Sequence, residues 1–254
     1  AFMNIVLGFI VIVVLTCMDT SVPTTVIDSF HTASESASEY SASSYDCGLR
    51  EGDKIIEIDG MDIMTVKDLQ YALISSENDS YDLVVKRNGE RTELNDVVFK
   101  DKSTGSLVDF YIKAHKKTPL NVLSYSAKDT VSTAKLVWLS LKDLVTGKYG
   151  FKDLSGPVGL VDAIGDAADS GINIKESVMS LFSLTSLITI NLGIFNLLPI
   201  PGLDGGRFIF LVVEAIRRKP VKPEHEGAVH LIGMALLMLL IIAVTFSDIK
   251  KLFG

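Results

Sequence analysis

"NLLPIPGLDGG", residues 196–206, closes a stretch that otherwise reads as a membrane-crossing helix. From Val178 to Ile200 the chain has 23 residues without a formal charge. A helix of that length rises about 35 Å, against a bilayer core of about 30 Å. Pro199 and Pro201 each lack an N–H, so carbonyls a turn earlier lose their partners and the backbone must leave the helix. Inside a bilayer such backbone is tolerated only where protein covers it or where it lines a watered cavity. The break therefore marks a candidate site, and Asp204 lies just past it.

Around this break the composition is that of a membrane protein. The 254 residues are 48% hydrophobic, mean hydropathy is +0.35, and the apolar residues are gathered in blocks. The blocks are Ala1–Met18, Val178–Ile200 and Ala228–Phe246, with a polar stretch between the first two that suits one small domain. A net charge of -7 and the lack of a Lys/Arg stripe exclude a nucleic-acid-binding surface. Two cysteines, Cys17 and Cys47, make neither a disulfide framework nor a thiolate zinc site. The first block begins at once, with no basic n-region. It reads as a transmembrane helix of a fragment whose upstream partner precedes Ala1.

The polar stretch carries turn and strand signals. "DTSVPTTVIDSF" predicts a strand with Pro23 as a breaker, and "HTASESASEYSASS", residues 31–44, predicts a Ser-rich loop. "GLREGDKIIEIDGMDI" gives a strand Lys54 to Ile58 and a hairpin turn at Asp59-Gly60. Thr65 is placed to cap a helix whose face holds Val66, Leu69 and Leu73. Asn88-Gly89 joins two further strands. Residues 126–147 predict an amphipathic helix with Val131, Leu136, Trp138, Leu139 and Leu144 to one side, lying at the interface. "LSGPVGLVDAIGDAA" predicts a helix broken by glycines, too short and acidic to span. Arg217, Arg218, Lys219 and Lys222 crowd the loop between the last two spans, which places it in the cytoplasm and the polar domain outside.

The residue after the break is costly. An ionised carboxylate at membrane depth costs about 2.5 to 3.5 kcal/mol on insertion scales, which a bound cation would offset. Gly205 and Gly206 would let the backbone turn sharply and approach a ligand. The plainer alternative makes Asp204 a helix N-cap near the cytoplasmic surface, with Arg207 as its local ion-pair partner.

The spelling Asn196-x-x-Pro199-x-Pro201-x-Leu203-Asp204-Gly205 resembles the signature of the site-2 proteases, a family of intramembrane zinc metalloproteases. "AFMNIVLGF" looks like that family's second transmembrane helix, "GLREGDKIIEIDG" like its PDZ domain and "LSGPVGLV" like the segment before the motif helix. "EGAVHLIGMALLMLLIIAVTFSDIKKL" looks like its last helix. Five segments in order make the bacterial single-PDZ members the nearest match. The resemblance implies a multi-pass α-helical membrane protein with an inserted α+β PDZ-like domain, in the bacterial inner membrane.

The implied organisation is a transmembrane helix at 1–18, an extracytoplasmic PDZ-like domain at 19–115 with the Ser-rich loop 31–44, and an interfacial helical linker at 116–172. A transmembrane helix with the motif follows at 173–216, then a basic cytoplasmic loop at 217–227 and a last transmembrane helix with a short tail at 228–254. The resemblance also implies that Asp204 is the third protein ligand of a catalytic Zn2+. Asn191 and Asn196 would hold the substrate's unwound backbone, and a strand of Pro199, Pro201 and Leu203, ending at Gly205, would lie alongside it. Partners would be single-span membrane proteins, a peptide or substrate ectodomain at the PDZ-like domain, where a spacer or steric filter is the simpler role, and the lipid bilayer.

One departure is large. The family's other two ligands and its general base come from H-E-x-x-H, which this sequence lacks. Its histidines are His31, His115, His225 and His230. Positions four apart on a helix lie about 40° apart around the axis, whereas His225 and His230 are five apart and lie about 140° apart. Both are expected in the basic loop as surface histidines, and His31 and His115 as solvated ones. The remaining zinc ligands are therefore expected upstream of residue 1, and the chain alone to be inactive. A non-catalytic PDZ-bearing membrane scaffold is the alternative from another class, and a transporter would need inverted repeats that the chain does not show.

Overall fold

The structure, a computed structural model, describes residues 1–31, 42–76, 78–99, 108–148, 157–169, 174–221 and 223–253. Its elements are α1 (Phe2–Met18), β1 (Val22–Phe30), α2 (Ser43–Asp46), β2 (Lys54–Ile58), β3 (Met61–Asp62), α3 (Val66–Ser75), β4 (Tyr81–Arg87) and β5 (Glu90–Val97). These are followed by β6 (Phe110–His115), α4 (Pro119–Val145), α5 (Pro157–Asp169), α6 (Ile174–Leu197), α7 (Asp204–Arg217) and α8 (Pro223–Phe253). The chain forms two compact units, Thr16–Ser132 and a second made of Ala1–Leu15 with Thr133–Gly254.

The first unit is an antiparallel sheet in the order β5-β4-β2-β1-β6, with β3 paired to β2. Strict alternation along β2 would put Ile55 and Ile58 on opposite faces. A register shift between Ile55 and Glu57 against β4 brings both inside, where they are fully buried. The tight turns fall where Asp59-Gly60 and Asn88-Gly89 place them, and all four residues have positive φ, from 47° to 96°. Thr65 and Asp68 form a capping box at the start of α3, which buries Leu69 and Leu73. Pro23, expected to break its strand, instead lies inside β1 opposite Ala114 of β6. On its other side β1 meets β2 in register only at Val26, so the missing proline N–H interrupts no ladder there.

The turn from Gly48 to Asp53 is held by a buried charge pair. Asp53 is fully buried and accepts 2.7 Å bonds from both Nε and Nη2 of Arg87. It also accepts the Arg50 N–H at 2.9 Å, while Arg87 Nη2 reaches the Gly48 carbonyl at 2.8 Å. The Asp53 carboxylate holds the Arg87 guanidinium above its ordinary pKa.

Helix α4 begins at Pro119, seven residues before the expected start, because no breaker lies between Pro119 and Ser126. Its buried side is polar. Ser132 Oγ lies 2.9 Å from Thr65 Oγ1, Asp129 accepts from Lys67 Nζ at 2.7 Å, and Ser126 Oγ lies 3.3 Å from Thr16 Oγ1. Val131 and Trp138, by contrast, are more than half exposed. Of the histidines expected to be solvated, His115 is exposed on β6. His31 is half-buried with its ring 4.5 Å from that of Tyr111. Apart from His31 and residues 42–44, the Ser-rich loop lies outside the described residues.

In the second unit two helices are long and apolar enough to cross a membrane. They cover Ile174–Leu197, 24 residues, and Glu226–Lys251, 26 residues. Helix α1 is apolar but shorter, 17 residues or about 25 Å. It packs on α6 through small residues: a Cβ on Gly193 would come within 2.8 Å of Ile5, and one on Gly8 would meet Ile190. Helix α5 is not broken by its glycines, since Gly159 and Gly165 both lie inside it. Asp248 of α8 accepts the Gly159 N–H at 2.9 Å, satisfying one free donor of the α5 first turn. Helix α8 starts at Pro223, so His225 and His230, expected in a loop, both lie on a helix.

Two outcomes are expected of the sheet unit. Asp53→Ala, which strands Arg87, should destabilise it by about 2 kcal/mol, read as a lowered urea midpoint of the detergent-solubilised chain; the one-third exposure of Arg87 keeps the loss below that of a fully buried pair. Burial, aided by nearby carboxylates, raises the phenol pKa of Tyr81 and Tyr125. Their contribution to stability should be intact below pH ~10 and lost as pH rises through the raised values, seen as phenolate absorbance appearing together with unfolding.

Candidate active site

The break after α6 is a hydrogen-bonded turn rather than an extended strand. Leu198 N–H donates to the Phe195 carbonyl at 3.0 Å, and Ile200 N–H to the Leu198 carbonyl at 2.7 Å. Leu203 N–H then donates to the Ile200 carbonyl at 3.1 Å, with Pro201 and Gly202 as the central residues. Gly202 has φ +99°, which matches a type II turn with proline first and glycine second. The expected strand of Pro199, Pro201 and Leu203 is thus corrected. Proline followed by a residue with positive φ reverses the chain instead of extending it.

Gly205 and Gly206 have another role than the expected sharp turn. Neither has positive φ; both are buried in the first turn of α7. A Cβ on Gly205 would collide with the carbonyls of Leu197 and Leu198, and one on Gly206 with that of Ile200. Their lack of a side chain lets the start of α7 cross directly over the end of α6. That brings the partly positive N-terminus of one helix to the partly negative C-terminal end of the other. Helix α8 closes the turn in the same way, since a Cβ on Gly233 would collide with the Pro201 carbonyl.

Asp204 is the first residue of α7, preceded by Leu203 in extended conformation, so it is not an N-cap. Its side chain is 70% exposed and its Oδ2 accepts from the Ala1 ammonium at 2.9 Å. The local ion pair with Arg207 does not form. Arg207 faces Glu226 of α8, with Nε 3.7 Å from Oε1. Asn191, in the last third of α6, has a buried Oδ1 without a hydrogen-bond partner among the described residues. Asn196 is half-buried near the end of α6, Pro199 is exposed, and Pro201 and Leu203 are half-buried. An apolar cavity of about 410 Å³ lies beside the turn, lined by Ile200, Pro201, Val229, Ile232, Gly233 and Leu236 among others.

His230 was missed from the sequence. Its Nδ1 accepts the Gly202 N–H at 3.0 Å, and its ring centroid lies 6.2 Å from that of Phe210. An ionisable residue within an otherwise apolar helix was the available signal. Assigning both histidines to the basic loop before the last helix hid that signal. As for a metal, zinc in a catalytic site takes three protein ligands and an open position. No group of three His, Cys, Asp or Glu able to hold one occurs among the described residues. Asp204, exposed at a helix N-terminus, fits the part of one ligand.

The profile of peptidase family M50 matches residues 1–240. The chain is 39% identical over 211 residues to the regulator of sigma-W protease RasP of Bacillus subtilis, covering 82% of this chain and 49% of the relative. It is 33% identical over 259 residues to the zinc metalloprotease RasP of Shouchella clausii, covering 99% and 58%. A putative zinc metalloprotease of Streptococcus pyogenes serotype M6 is 34% identical over 260 residues, covering 98% and 57%. The chain thus spans about half the length of the curated relatives it matches.

The glycine contacts predict substitutions of opposite sign. Gly165→Ala, in open space within α5, should be neutral or raise the thermal midpoint in detergent, as expected for about 0.5–1 kcal/mol of helix propensity. Gly205→Ala should lower that midpoint clearly, because its methyl would meet backbone that cannot move aside.

Proposed function

Since the chain belongs to peptidase family M50, we propose that it is part of an intramembrane zinc metalloprotease of the site-2 type. Its reaction is hydrolysis of peptide bonds in single-span membrane proteins. The observation that carries this reading is Asp204, an exposed carboxylate on the first residue of a helix whose start is locked to the turn before it.

In this reading Asp204 provides one zinc ligand. The two histidines and the general base come from an H-E-x-x-H helix in a segment N-terminal to residue 1. A zinc ion held there would supply Lewis acidity toward a water and the scissile carbonyl. The described chain offers one ligand and is expected to be inactive by itself.

A peptide bond in a helix is shielded by its own turns, so the substrate must unwind and take new hydrogen bonds. Asn191 supports that role with an acceptor that has no partner among the described residues, and an amide side chain offers donor and acceptor together. Asn196, five residues on and about 140° further round the helix, meets the same segment nearer the break. Pro199, Pro201 and Leu203 form the wall against which it lies, Gly205 seats that wall on the end of α6, and the apolar cavity beside Pro201 accepts its side chains.

Helices α1, α6 and α8 span the membrane, and the Arg217–Lys222 loop is cytoplasmic. The sheet domain is extracytoplasmic and PDZ-like, with β6, the edge of the sheet among the described residues, as the place for an added strand of a peptide or substrate ectodomain. α4 lies at the interface, with Trp138 outward. A relative named regulator of sigma-W protease RasP supports regulated proteolysis of signalling proteins. A non-catalytic scaffold is the second reading, favoured by the single ligand present among the described residues. A preceding helix without H-E-x-x-H would establish it.

In the full-length protein, Asp204→Asn should lower cleavage of a membrane substrate by about 100-fold or more, with near-normal accumulation and loss of bound zinc. Full activity in that variant would refute the ligand assignment.

A further inference from the structure

Within the Ile200–Leu203 turn the Leu203 N–H bonds back to Ile200, which leaves the Gly202 N–H pointing away from the turn. A side chain at Gly202 would meet Gly233 and Met234 of α8, neither of which offers a side-chain oxygen or nitrogen acceptor. In a lipid environment an amide left there would have no water to turn to. His230 Nδ1 takes it at 3.0 Å. Since that nitrogen is the acceptor, the ring proton of the neutral imidazole sits on Nε2.

Three residues on, Gly233 lies on the same side of α8 and seats that helix against the Pro201 carbonyl. The turn is therefore gripped at two successive residues by one helix, by backbone contact at Pro201 and by a hydrogen bond at Gly202. Asp204 follows two residues later and inherits its direction from this grip.

We propose that His230 is a positioning residue for the metal-binding carboxylate: through Nδ1 it fixes the Gly202 peptide and thereby the orientation in which Asp204 is presented. It is not a metal ligand in this arrangement, because Nδ1 accepts the Gly202 N–H and Nε2 carries the ring proton. This inference rests on the reading of Asp204 as a zinc ligand.

The test compares His230→Asn, His230→Gln and His230→Leu in the full-length protein, with Asp204→Asn alongside. The Oδ1 of asparagine can occupy the place of Nδ1, whereas the Oε1 of glutamine lies nearer that of Nε2. The readouts are kcat and KM on a single-span substrate, bound zinc, and amide hydrogen exchange of the peptide covering residues 198–206. The Leu and Gln variants should lose about tenfold in kcat with KM within about twofold, hold less zinc and exchange faster at the turn. The Asn variant should stay within about threefold of the parent in kcat.

Equal impairment of Asn and Leu, or parental kcat and exchange in both Gln and Leu, overturns the proposal. If Leu fails to accumulate, the comparison of Asn with Gln decides. An inactive Asp204→Asn beside fully active His230 variants sinks the positioning role alone. An active Asp204→Asn sinks the ligand reading, and the exchange of the turn then judges the hydrogen bond by itself.

Discussion

Backbone groups that leave a helix inside an apolar layer have to find partners in the protein, and this requirement organises the helical unit. Two prolines end α6, and the chain answers with a type II turn, three glycine-permitted backbone contacts and one histidine acceptor. Each is needed because water cannot supply the missing bonds. Rigidity follows from that requirement, and it falls on the residues that deliver Asp204 to the first turn of α7.

Electrostatics then explains why a carboxylate is tolerated there. The N-terminus of α7 favours negative charge, and the side chain is exposed rather than sealed in apolar surroundings. Arg207, the nearest basic residue in sequence on α7, is turned to Glu226 instead. The carboxylate is thus left without a neutralising neighbour on its own helix among the described residues. The sheet unit treats its charge in the opposite way: Asp53 is sealed, paired twice with Arg87 and used to hold a turn.

Much of the sheet unit was legible because its signals are local. Asp59-Gly60 and Asn88-Gly89 adopt positive φ for reasons contained in two residues, and Thr65 with Asp68 caps α3 within a single turn. The limits of α4 and α8 were not legible, because proline at a first helical turn is neutral to propensity and a window of hydropathy is blind to it. Pro23 misled for the related reason that a proline breaks a ladder only where a partner strand needs its N–H. The polar side of α4 also escaped notice, since apolar spacing cannot reveal that serines and an aspartate face a domain.

Residue order alone was enough to establish the apolar blocks, the helix break, the lone aspartate after it and the family that spells them, since all of these reside in short runs of chemistry. Only packing settled that Gly205 and Gly206 serve close approach rather than bending, that residues 200–203 reverse rather than extend, and that His230 reaches back to Gly202. Those facts join positions up to 28 residues apart. Such a partner is selected by which helix face the fold brings near, and no local pattern carries that information.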